Sequence, residues 1–520
     1  MKISLQKLLF AGLLALGASA SAQQEQVDIK TFEKIKKAEL SSSQIPFIAS
    51  YLTDIAGPRL TNSPGYRRAA NWAIATMKQW GLVNATMEPW GEFGKQWELQ
   101  DFSLTMRIPY PQPLRAYAQP WSSSTNGTIT GDVIIVEPGA ILDSTYFIKH
   151  SSEFAGKFLL FVGKKTNMSG NFKPSAERLT DSALTNMQDT YIVTQQEMDV
   201  YKNYFKIFRA VDRILKQAGA LGFIATDNKS INGTVFVEAD YGYKNTDPDA
   251  IPKVSIAAED GLRIRRIIES GQKVQLALNV SAKTSNDDTK GYNVIAEIPG
   301  TDPTLKAQLV MLGGHLDSWE AATGATDNGA GVIVMMEAVR LIDSLHLKPK
   351  RTIRIALWDG EEQGLLGSYG YARNHFMDAQ TYTLKPEQAK VSVYFNLDNG
   401  TGKIRGIFTQ NNKAVKPIFD KWFEPFHNLG AATVSNRNTG STDHVSFDWA
   451  GIPAFEFIQD PIDYDNRTHH SNMDDYDHLQ IEDLKQAAII VASFVYQASI
   501  RPDMIPRKSL VTEGFIFDGY

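Results

Sequence analysis

The segment QLVMLGGHLDSW, residues 308–319, decides the fold class, because it joins a run of apolar residues directly to a cluster of polar ones. The same arrangement recurs in RTIRIALWDG (351–360) and VSVYFNLDNG (391–400). Between these runs, apolar residues recur at helical spacing from Gly331 to Leu345 and again after Glu362. Strands that alternate with helices in this way predict an α/β fold with a mixed, mostly parallel sheet covered by helices.

Polar clusters lie at or just beyond the predicted strand ends, where the ligand crevice of an open α/β sheet is found. They supply the candidate residues His315, Asp317, Asp327, Glu361, Glu362, Asp398, His469 and His470. The chain contains no cysteine, so a metal ion must be bound by His, Asp or Glu. Histidines and carboxylates in this number predict two zinc ions that share a bridging carboxylate, with a further carboxylate left free as general base.

Each cluster also has an ordinary structural interpretation. The acidic pair Glu361–Glu362 is typical of a solvated helix start, where carboxylates favour the helix dipole. A single buried histidine such as His315 usually needs no metal, although Asp317 is placed to accept its second ring N–H. Asp327 and Asp398 both open Asp-Asn-Gly sequences, which form common turns. The joint occurrence of the clusters in this order favours the metal site.

Composition bounds the partners of the chain. At 520 residues, of which 43% are apolar, the chain can bury a large core and has room for roughly two or three domains. Its formal net charge of -5 comes from interspersed charges, so there is no basic stripe of the kind that binds nucleic acid. Nucleic acid is therefore not an expected partner.

The N-terminus has the pattern of a secretory signal peptide over residues 1–22. Lys2 and Lys7 precede an apolar run that ends in the small residues Ala20 to Ala22. An uncleaved membrane anchor is the alternative, but the run is shorter than the ~20 residues that cross a bilayer. We expect a mature protein that is secreted or periplasmic and does not associate with a membrane.

The rest of the chain changes texture at two places. Residues 23–125 are mainly helical in pattern, with a long predicted helix from Ser43 to Leu82 that a turn at Gly57-Pro58 interrupts. Residues 126–285 consist of short β-branched runs separated by turns, which predicts a β-rich module. The alternating strands and helices occupy residues 286–520. We therefore predict one catalytic domain into which the β-rich module is inserted.

These clusters resemble the M28 family of zinc peptidases, and GGHLDSW followed by ATGATDNGAG is similar to the carboxypeptidase Q branch of that family. The likeness extends from PRLTNSPGYRRA (58–69) to GIPAFEFIQD (451–460). It implies a zinc exopeptidase-like fold and two zinc ions per chain. The family pattern assigns metal binding to His315, Asp327, Glu362, Asp398 and His470, and the role of general base to Glu361. It implies that Asp327 bridges, that His315 and Asp398 complete separate metal sites, and that a cis peptide follows Asp327.

The last metal ligand lies in an element where this chain departs from the family. The family's Tyr-His-Thr-x-x-Asp reads His469 to Asp474 here, which places the ligand at His470 and His469 at the position of the tyrosine. That tyrosine is thought to hydrogen-bond the developing oxyanion, and a histidine is able to donate in its place. The alternatives are that His469 only packs beside the site, or that the two histidines exchange roles.

The resemblance extends to the insert and to the substrate. KQAGALGFIATDN (216–228) resembles a protease-associated domain, which is expected to cover one side of the cleft. The family implies hydrolysis of peptide bonds in short peptides or at chain ends, and a homodimer is possible. Aminopeptidase or dipeptidase action is favoured, with carboxypeptidase action as the alternative. Arg405 is a candidate anchor for a free carboxylate and Asp443 for a free amine, although both are also typical of surface residues.

Other function classes are less well supported. A serine hydrolase is not favoured, because the chain lacks a Gly-x-Ser-x-Gly motif. A noncatalytic peptide-binding relative would be expected to have lost metal ligands, which are all present. A related cyclase is harder to separate from a peptidase, since it shares the metal-site architecture and typically binds one metal. The number of bound ions together with a dipeptide assay distinguishes these two.

Overall fold

The computed structural model describes residues 25–164, 174–189, 195–227, 229–239, 241–248 and 250–509. The predicted signal peptide, residues 1–22, lies outside the described residues. Among the described helices, none combines the length and the apolar character that crossing a membrane requires.

The described residues form two β-sheets with helices around them. In chain order the strands are β1 (Val83–Glu92), β2 (Gln96–Ile108), β3 (Gln112–Pro113), β4 (Ala116–Ala118), β5 (Ile129–Val136), β6 (Lys157–Phe161), β7 (Gly222–Ala225), β8 (Lys253–Ile256), β9 (Gln275–Ser285), β10 (Lys290–Ile298), β11 (Leu309–His315), β12 (Thr352–Trp358), β13 (Val391–Asn396), β14 (Ile404–Phe408), β15 (Thr433–Ser435) and β16 (Ala454–Gln459). The α-helices are α1 (Ile29–Ser42), α2 (Ile45–Ser50), α3 (Pro64–Trp80), α4 (Ser144–Lys149), α5 (Asp181–Thr185), α6 (Gln195–Gln217), α7 (Ala258–Glu269), α8 (Ala330–Ser344), α9 (Leu366–His375), α10 (Lys416–Phe423), α11 (His444–Trp449) and α12 (Ile481–Ile500).

The first sheet has the strand order β1-β10-β12-β11-β13-β16-β14-β15. Its central pairs β11/β12, β11/β13 and β13/β16 are parallel, as is β14/β15. The pairs β1/β10, β10/β12 and β14/β16 are antiparallel. The central strands are apolar and almost wholly buried, as expected of parallel strands covered on both faces. The predicted α/β fold with a mixed, mostly parallel sheet is confirmed.

Helices cover both faces of this sheet. On one face α1, α2, α3, α8 and α12 form the main core, and α12 is buried along most of its length. On the other face α9 and α11 contribute Tyr371 and Phe447 to a smaller core beneath Met311 and Trp358. Burial of each such large side chain stabilises the fold by about 1.5–3 kcal/mol. The first sheet is therefore held in place by helices that pack on both of its faces.

The long helix predicted from Ser43 to Leu82 is in two separate parts. α2 passes into a π-helical turn, Tyr51–Ile55, and the backbone of residues 57–63 is then not helical. Gly57 has a φ of 72°, and the side chain of Ser63 caps α3 by accepting a hydrogen bond from the Tyr66 N–H. The turn predicted at Gly57-Pro58 is thus a longer connection, and it carries side chains into the interior.

The second sheet has the order β3-β2-β9-β5-β6-β7-β8-β4. α7 packs on one face through Ile264, whereas α4 and α6 cover the other with Phe147 and Leu215. This sheet agrees with a β-rich module, but it already begins at Gln96, before the boundary at residue 126. The division into residues 23–125, 126–285 and 286–520 stays a prediction, and so does the resemblance to a protease-associated domain.

One two-stranded ribbon connects the sheets. β1 pairs with β10 up to Glu92 opposite Lys290, and β2 pairs with β9 from Gln96 opposite Ser285. The chain therefore leaves the first sheet and returns to it at adjacent points. The short connections between these strands are linked to each other, since Phe93 and Gly94 both donate their N–H groups to the Thr289 carbonyl.

Candidate metal centre

The structure brings the predicted metal ligands together at one end of the first sheet. His315 ends β11, Glu361 and Glu362 follow β12, Asp398 follows β13, Asp327 lies in the turn before α8, and His469 and His470 follow the turn Tyr464–Thr468. The carboxyl ends of parallel strands point to the same edge of a sheet, which is why residues distant in sequence meet here.

Asp327 lies at the centre of this cluster. One carboxylate oxygen, Oδ1, is 3.3 Å from Nε2 of His315, and the other, Oδ2, is 3.2 Å from Nε2 of His470. The side chain is buried, and Oδ2 has no hydrogen-bond partner of good geometry among the described residues. The peptide bond between Asp327 and Asn328 is cis, which confirms that prediction. One carboxylate thus faces both histidines with separate oxygens.

His315 and Asp398 lie on the same side of Asp327. His315 Nε2 is 3.3 Å from Asp398 Oδ1, the same distance as to Asp327. The expectation that His315 and Asp398 complete separate metal sites is therefore wrong in its geometry, because β11 and β13 are neighbouring parallel strands. Burial alone would lower the pKa of His315, but the charges of Asp398 and Glu361 raise it well above the usual value.

The carboxylate of Asp317 acts differently from the prediction. Nδ1 of His315 lies 3.0 Å from the main-chain oxygen of Asp317 and 3.6 Å from its side-chain Oδ1. The ring N–H therefore has its closer acceptor in the backbone. The side chain instead accepts the main-chain N–H groups of Glu361 and Glu362, at 3.2 and 3.3 Å, and the Thr61 hydroxyl at 2.9 Å. Asp317 thereby fixes the turn that carries both glutamates.

The two adjacent glutamates point to different parts of the site. Glu362 Oε2 is 3.0 Å from His470 Nε2, and its buried Oε1 has no hydrogen-bond partner within the part of the chain that the structure describes. Glu361 Oε2 is 3.9 Å from His315 Nε2, and its side chain is 11% exposed. Burial raises the pKa of Glu362 to about 8 and that of Glu361 well above its usual value. This divergence is the arrangement that a ligand and a separate proton acceptor require.

His470 is closer to the carboxylates than His469 is. His470 Nε2 contacts Asp327 and Glu362, whereas His469 Nε2 is 3.8 Å from Asp327. The two imidazoles are stacked, with ring centroids 3.7 Å apart, and the ring of Trp319 lies 5.9 Å from that of His470. His469 is the more exposed of the two, at 31% of its side chain against 19%. The geometry favours His470 as the ligand and leaves His469 the more exposed of the two.

The cluster carries more buried negative charge than its histidines balance. Asp327, Glu361, Glu362 and Asp398 lie within a few ångströms of His315 and His470, and buried carboxylates need cations or hydrogen-bond donors. Two groups of side chains are spaced to hold an ion, one formed by His315, Asp327 and Asp398 and the other by Asp327, His469 and His470. Imidazole and carboxylate donors in this number fit zinc.

Arg59 is a buried cation that the sequence analysis missed. Its guanidinium donates to the main-chain oxygens of Leu316, Thr323 and Gly324 at 2.6 to 2.7 Å, and it also reaches Leu52 at 3.2 Å. Burial lowers its pKa to about 10, against the opposing effect of nearby carboxylates, so it remains charged at neutral pH. Arg59 holds both ends of the loop between His315 and Asp327. The only signal for it was an arginine within the apolar-flanked segment PRL.

Two buried carboxylates support the backbone of metal-site residues. Asp474 accepts the N–H groups of Thr326 and Asp327, at 2.5 and 3.1 Å. Glu456 accepts the Asp398 N–H at 2.8 Å, from a strand next to β13. Burial raises the pKa of Asp474 to about 7 and that of Glu456 well above its usual value. Both lie in motifs that resemble the family, but their sequences gave no indication of which backbone groups they reach.

A tyrosine is also present beside the histidine pair. The ring of Tyr464 lies 4.8 Å from that of His469, in the same loop. Burial, together with the charges of Asp327 and Asp398, raises the pKa of Tyr464 well above its usual value. A search for aromatic residues just before the histidines would have found it.

Of the two candidate anchors for chain ends, Arg405 is partly exposed and Asp443 is buried. Arg405 donates to the Leu179 and Gly430 main-chain oxygens and pairs with Asp460 at 2.8 Å. Asp443 is fully buried, and burial raises its pKa to about 8. Arg405 thus has a structural role. Asp443 lies close enough to His315 for the charge of His315 to lower its pKa, against the larger effect of burial.

Comparisons with known proteins agree with this geometry. Residues 293–495, which contain every predicted metal ligand, match the model of Peptidase family M28. The chain is 26% identical to carboxypeptidase Q of Mus musculus, over 97% of this chain and 100% of that protein. It is similar to a peptidase M28 precursor from Shewanella amazonensis SB2B, with 25% identity, a TM-score of 0.68, and coverage of 92% of this chain and 98% of that one.

A further solved structure shares the fold. BSAP, a zinc aminopeptidase from Bacillus subtilis, superimposes with a TM-score of 0.55 at 21% identity, covering 88% of this chain and 95% of that one. The family match, the relatives that span nearly the full length and the cluster of histidines and carboxylates all point to the same chemistry. The chain is a zinc metallopeptidase whose residues 293–495 match peptidase family M28.

Proposed function

We propose that this peptidase is an exopeptidase that uses two zinc ions bridged by Asp327. The observation that carries the proposal is that the two oxygens of Asp327 face different histidines, at 3.3 and 3.2 Å. His315 and Asp398 would hold one ion with it, and His470 and Glu362 the other. Zinc bound there would polarise the substrate carbonyl and lower the pKa of a bound water.

Glu361 is the proposed general base. Its Oε2 lies 3.9 Å from His315 Nε2, and 11% of its side chain is exposed. Because burial raises its pKa, the carboxylate has the basicity to take a proton from the attacking water. The same carboxyl group then protonates the leaving amine, which keeps the proton count balanced through the reaction.

His469 is the proposed donor to the oxyanion of the substrate carbonyl. Its ring is fixed by stacking on His470 and by contact with Tyr464, while part of the side chain faces solvent. A fixed donor aimed at the developing charge can contribute about 2.7–4 kcal/mol of transition-state stabilisation. In a His469→Ala variant with full zinc content, kcat should therefore fall while KM changes little.

We favour cleavage at the amino end, or of dipeptides. The engagement of Arg405 with Asp460 removes the candidate anchor for a free carboxylate. The zinc aminopeptidase of Bacillus subtilis is consistent with this choice. Similarity to carboxypeptidase Q supports the alternative, a carboxypeptidase. A noncatalytic peptide-binding relative would bind peptides and leave them intact.

Matched peptides test this proposal. The purified protein is incubated with one peptide sequence in three forms, with free ends, with an acetylated amino end and with an amidated carboxyl end, and the products are read by mass spectrometry. An aminopeptidase cleaves the free and the amidated peptide but not the acetylated one. Removal of the metal with a chelator must abolish this cleavage. Cleavage that is lost only in the amidated form establishes the carboxypeptidase. A dipeptidase cleaves only a free dipeptide, which is tested alongside, and absence of cleavage of both the peptides and the dipeptide rejects the exopeptidase.

Zinc content tests the metal assignment independently of turnover. The proposal requires two ions per chain by elemental analysis of the dialysed protein, and a single ion would contradict it. Secretion or a periplasmic location and a homodimer are part of the same proposal. Sequencing the N-terminus of the exported protein checks cleavage after Ala22, and light scattering during size exclusion measures the dimer.

A further inference from the structure

The loop that carries His470 is held by a segment of the second-sheet region. Residues 235–238 lie in the connection between β7 and β8. Val237 donates its N–H to the His470 main-chain oxygen at 2.8 Å, and Asn472 donates its own to the Val235 oxygen at 3.0 Å. Phe236 and Ser471 form an isolated antiparallel β-bridge. Residues 235–238 therefore align the histidine loop as a neighbouring strand would.

Glu238 extends this alignment to the imidazole itself. Its Oε1 lies 2.8 Å from Nδ1 of His470, the ring nitrogen that faces away from the metal centre. The other nitrogen, Nε2, faces Asp327 and Glu362 at 3.2 and 3.0 Å. A histidine that donates Nδ1–H to a carboxylate keeps the lone pair of Nε2 for a metal ion.

His315 has no such dependence on the second sheet. Its Nδ1 contacts the backbone oxygen of Asp317, two residues along the same segment. The outer partner of one histidine thus comes from the first-sheet region and that of the other from the second. We propose that Glu238 is a positioning residue that fixes the tautomer and orientation of His470, so that the second-sheet region completes one half of the metal centre. This rests on the proposed function, because it takes His470 as a zinc ligand.

A simple surface pair is the competing explanation. His150 and Glu153 form such a pair in the same region, with 2.7 Å between Nδ1 and Oε1 and more than half of the glutamate side chain exposed. Glu238 differs in that 42% of its side chain is exposed and its histidine is enclosed by Trp319 and His469. The ring of His470 therefore stacks on His469 and lies near Trp319, in addition to meeting Glu238 at Nδ1. Glu153→Gln supplies the matched control.

The test measures zinc affinity in the full-length holoprotein. Glu238→Ala, Glu238→Gln and Glu153→Gln are each titrated with a competing chelator, and the zinc remaining per chain is determined by elemental analysis. Loss of an outer partner typically lowers metal affinity about 10–100-fold. We expect that loss for one of the two ions in Glu238→Ala, a smaller loss in Glu238→Gln, which keeps an acceptor oxygen, and parental affinity in Glu153→Gln. Thermal unfolding of the metal-free proteins should be unchanged.

A second comparison assigns the effect to His470. In a His470→Ala background, Glu238→Ala should cause no further loss of zinc, because its target is already removed. Parental zinc affinity in Glu238→Ala, or an additive loss in the double variant, would overturn the inference. These outcomes are separate from the proposed function: a parent that cleaves no peptide refutes exopeptidase activity, while a selective loss of zinc in Glu238→Ala would still support the role of Glu238.

Discussion

The two imidazoles at the metal centre are held by different kinds of structure. His315 ends a central parallel strand, is almost completely buried, and finds its outer acceptor two residues away in the backbone. His470 lies in an irregular loop with a φ of 59°, a conformation uncommon for residues other than glycine. Its outer acceptor, Glu238, is 232 residues away in the sequence.

This difference shows which parts of the structure fix the positions of the two histidines. The His315 side inherits its geometry from the sheet, which many buried side chains stabilise at once. The His470 side is assembled from a loop, a β-bridge and one carboxylate, and each of these is a small number of contacts. We therefore expect substitutions to act globally on the first side and locally on the second.

The largest expected effects come from removing each histidine. His315→Ala and His470→Ala should each lower kcat/KM by about 10³-fold or more, since a metal supplies several kcal/mol of transition-state stabilisation. Zinc analysis should show loss from both variants, but only His315→Ala should also shift the unfolding of the metal-free protein. Retention of both ions in His470→Ala, with loss in His469→Ala, would exchange the roles of the two histidines.

Glu361→Gln should be the cleanest loss of catalysis. The variant keeps the shape of the side chain and removes the proton acceptor, which lowers kcat by about 10²–10⁴-fold. Zinc content should stay at the parental value, whereas the neighbouring Glu362→Gln should lose zinc. Kinetics and elemental analysis on both variants check this. Near-parental turnover in folded Glu361→Gln would exclude it as general base.

Arg59→Met tests how firmly the His315 side is fixed. Removing a buried cation leaves several main-chain oxygens without donors, and we expect about 3–5 kcal/mol less free energy of unfolding. The measurement is denaturant unfolding of the metal-free protein. Arg68→Met is the control, because Arg68 is about half exposed and should change stability by about 1 kcal/mol or less. Equal losses in the two variants would contradict the structural role of Arg59.

The smallest expected effect is a difference in the release of the two ions. In the proposed two-zinc site, the ion held by His470 would have a more exposed ligand that lies in a loop, so it should leave about tenfold faster than the other in excess chelator. Stopped-flow detection with a colorimetric zinc chelator would resolve two phases of equal amplitude. A single phase would show that the two sides are kinetically equivalent and would remove this part of the comparison.

The strand-end residues were predictable because buried parallel strands appear in the sequence as runs of apolar residues. Apolar runs mark the parallel strands, and the polar residues that follow them must meet at one edge. His315 and Asp398 needed only this rule, although their closeness to each other required the neighbouring order of β11 and β13. His470 needed the resemblance to a family, since nothing in the pattern of an irregular loop fixes its position.

Long-range partners could not be read from the sequence. Arg59, Asp474 and Glu238 act on groups 148 to 265 residues away, and a polar residue type does not reveal which backbone oxygen or imidazole it will reach. The start of the second sheet could not be located from the sequence either. β2 runs on from β1 with little interruption, so the change of texture at residue 126 marks a later point than the sheet itself.

The ribbon between the sheets has a mechanical consequence. Asn62 donates to the Gly94 and Asp288 main-chain oxygens on its two connections, and Arg67 pairs with Asp288 at 3.1 Å. These residues follow closely on Arg59, whose guanidinium holds the loop leading to Asp327. A change in the angle between the two sheets would therefore act on this short segment beside Arg59 and on the contact between Glu238 and His470. The same change would therefore reach both histidines of the proposed metal centre.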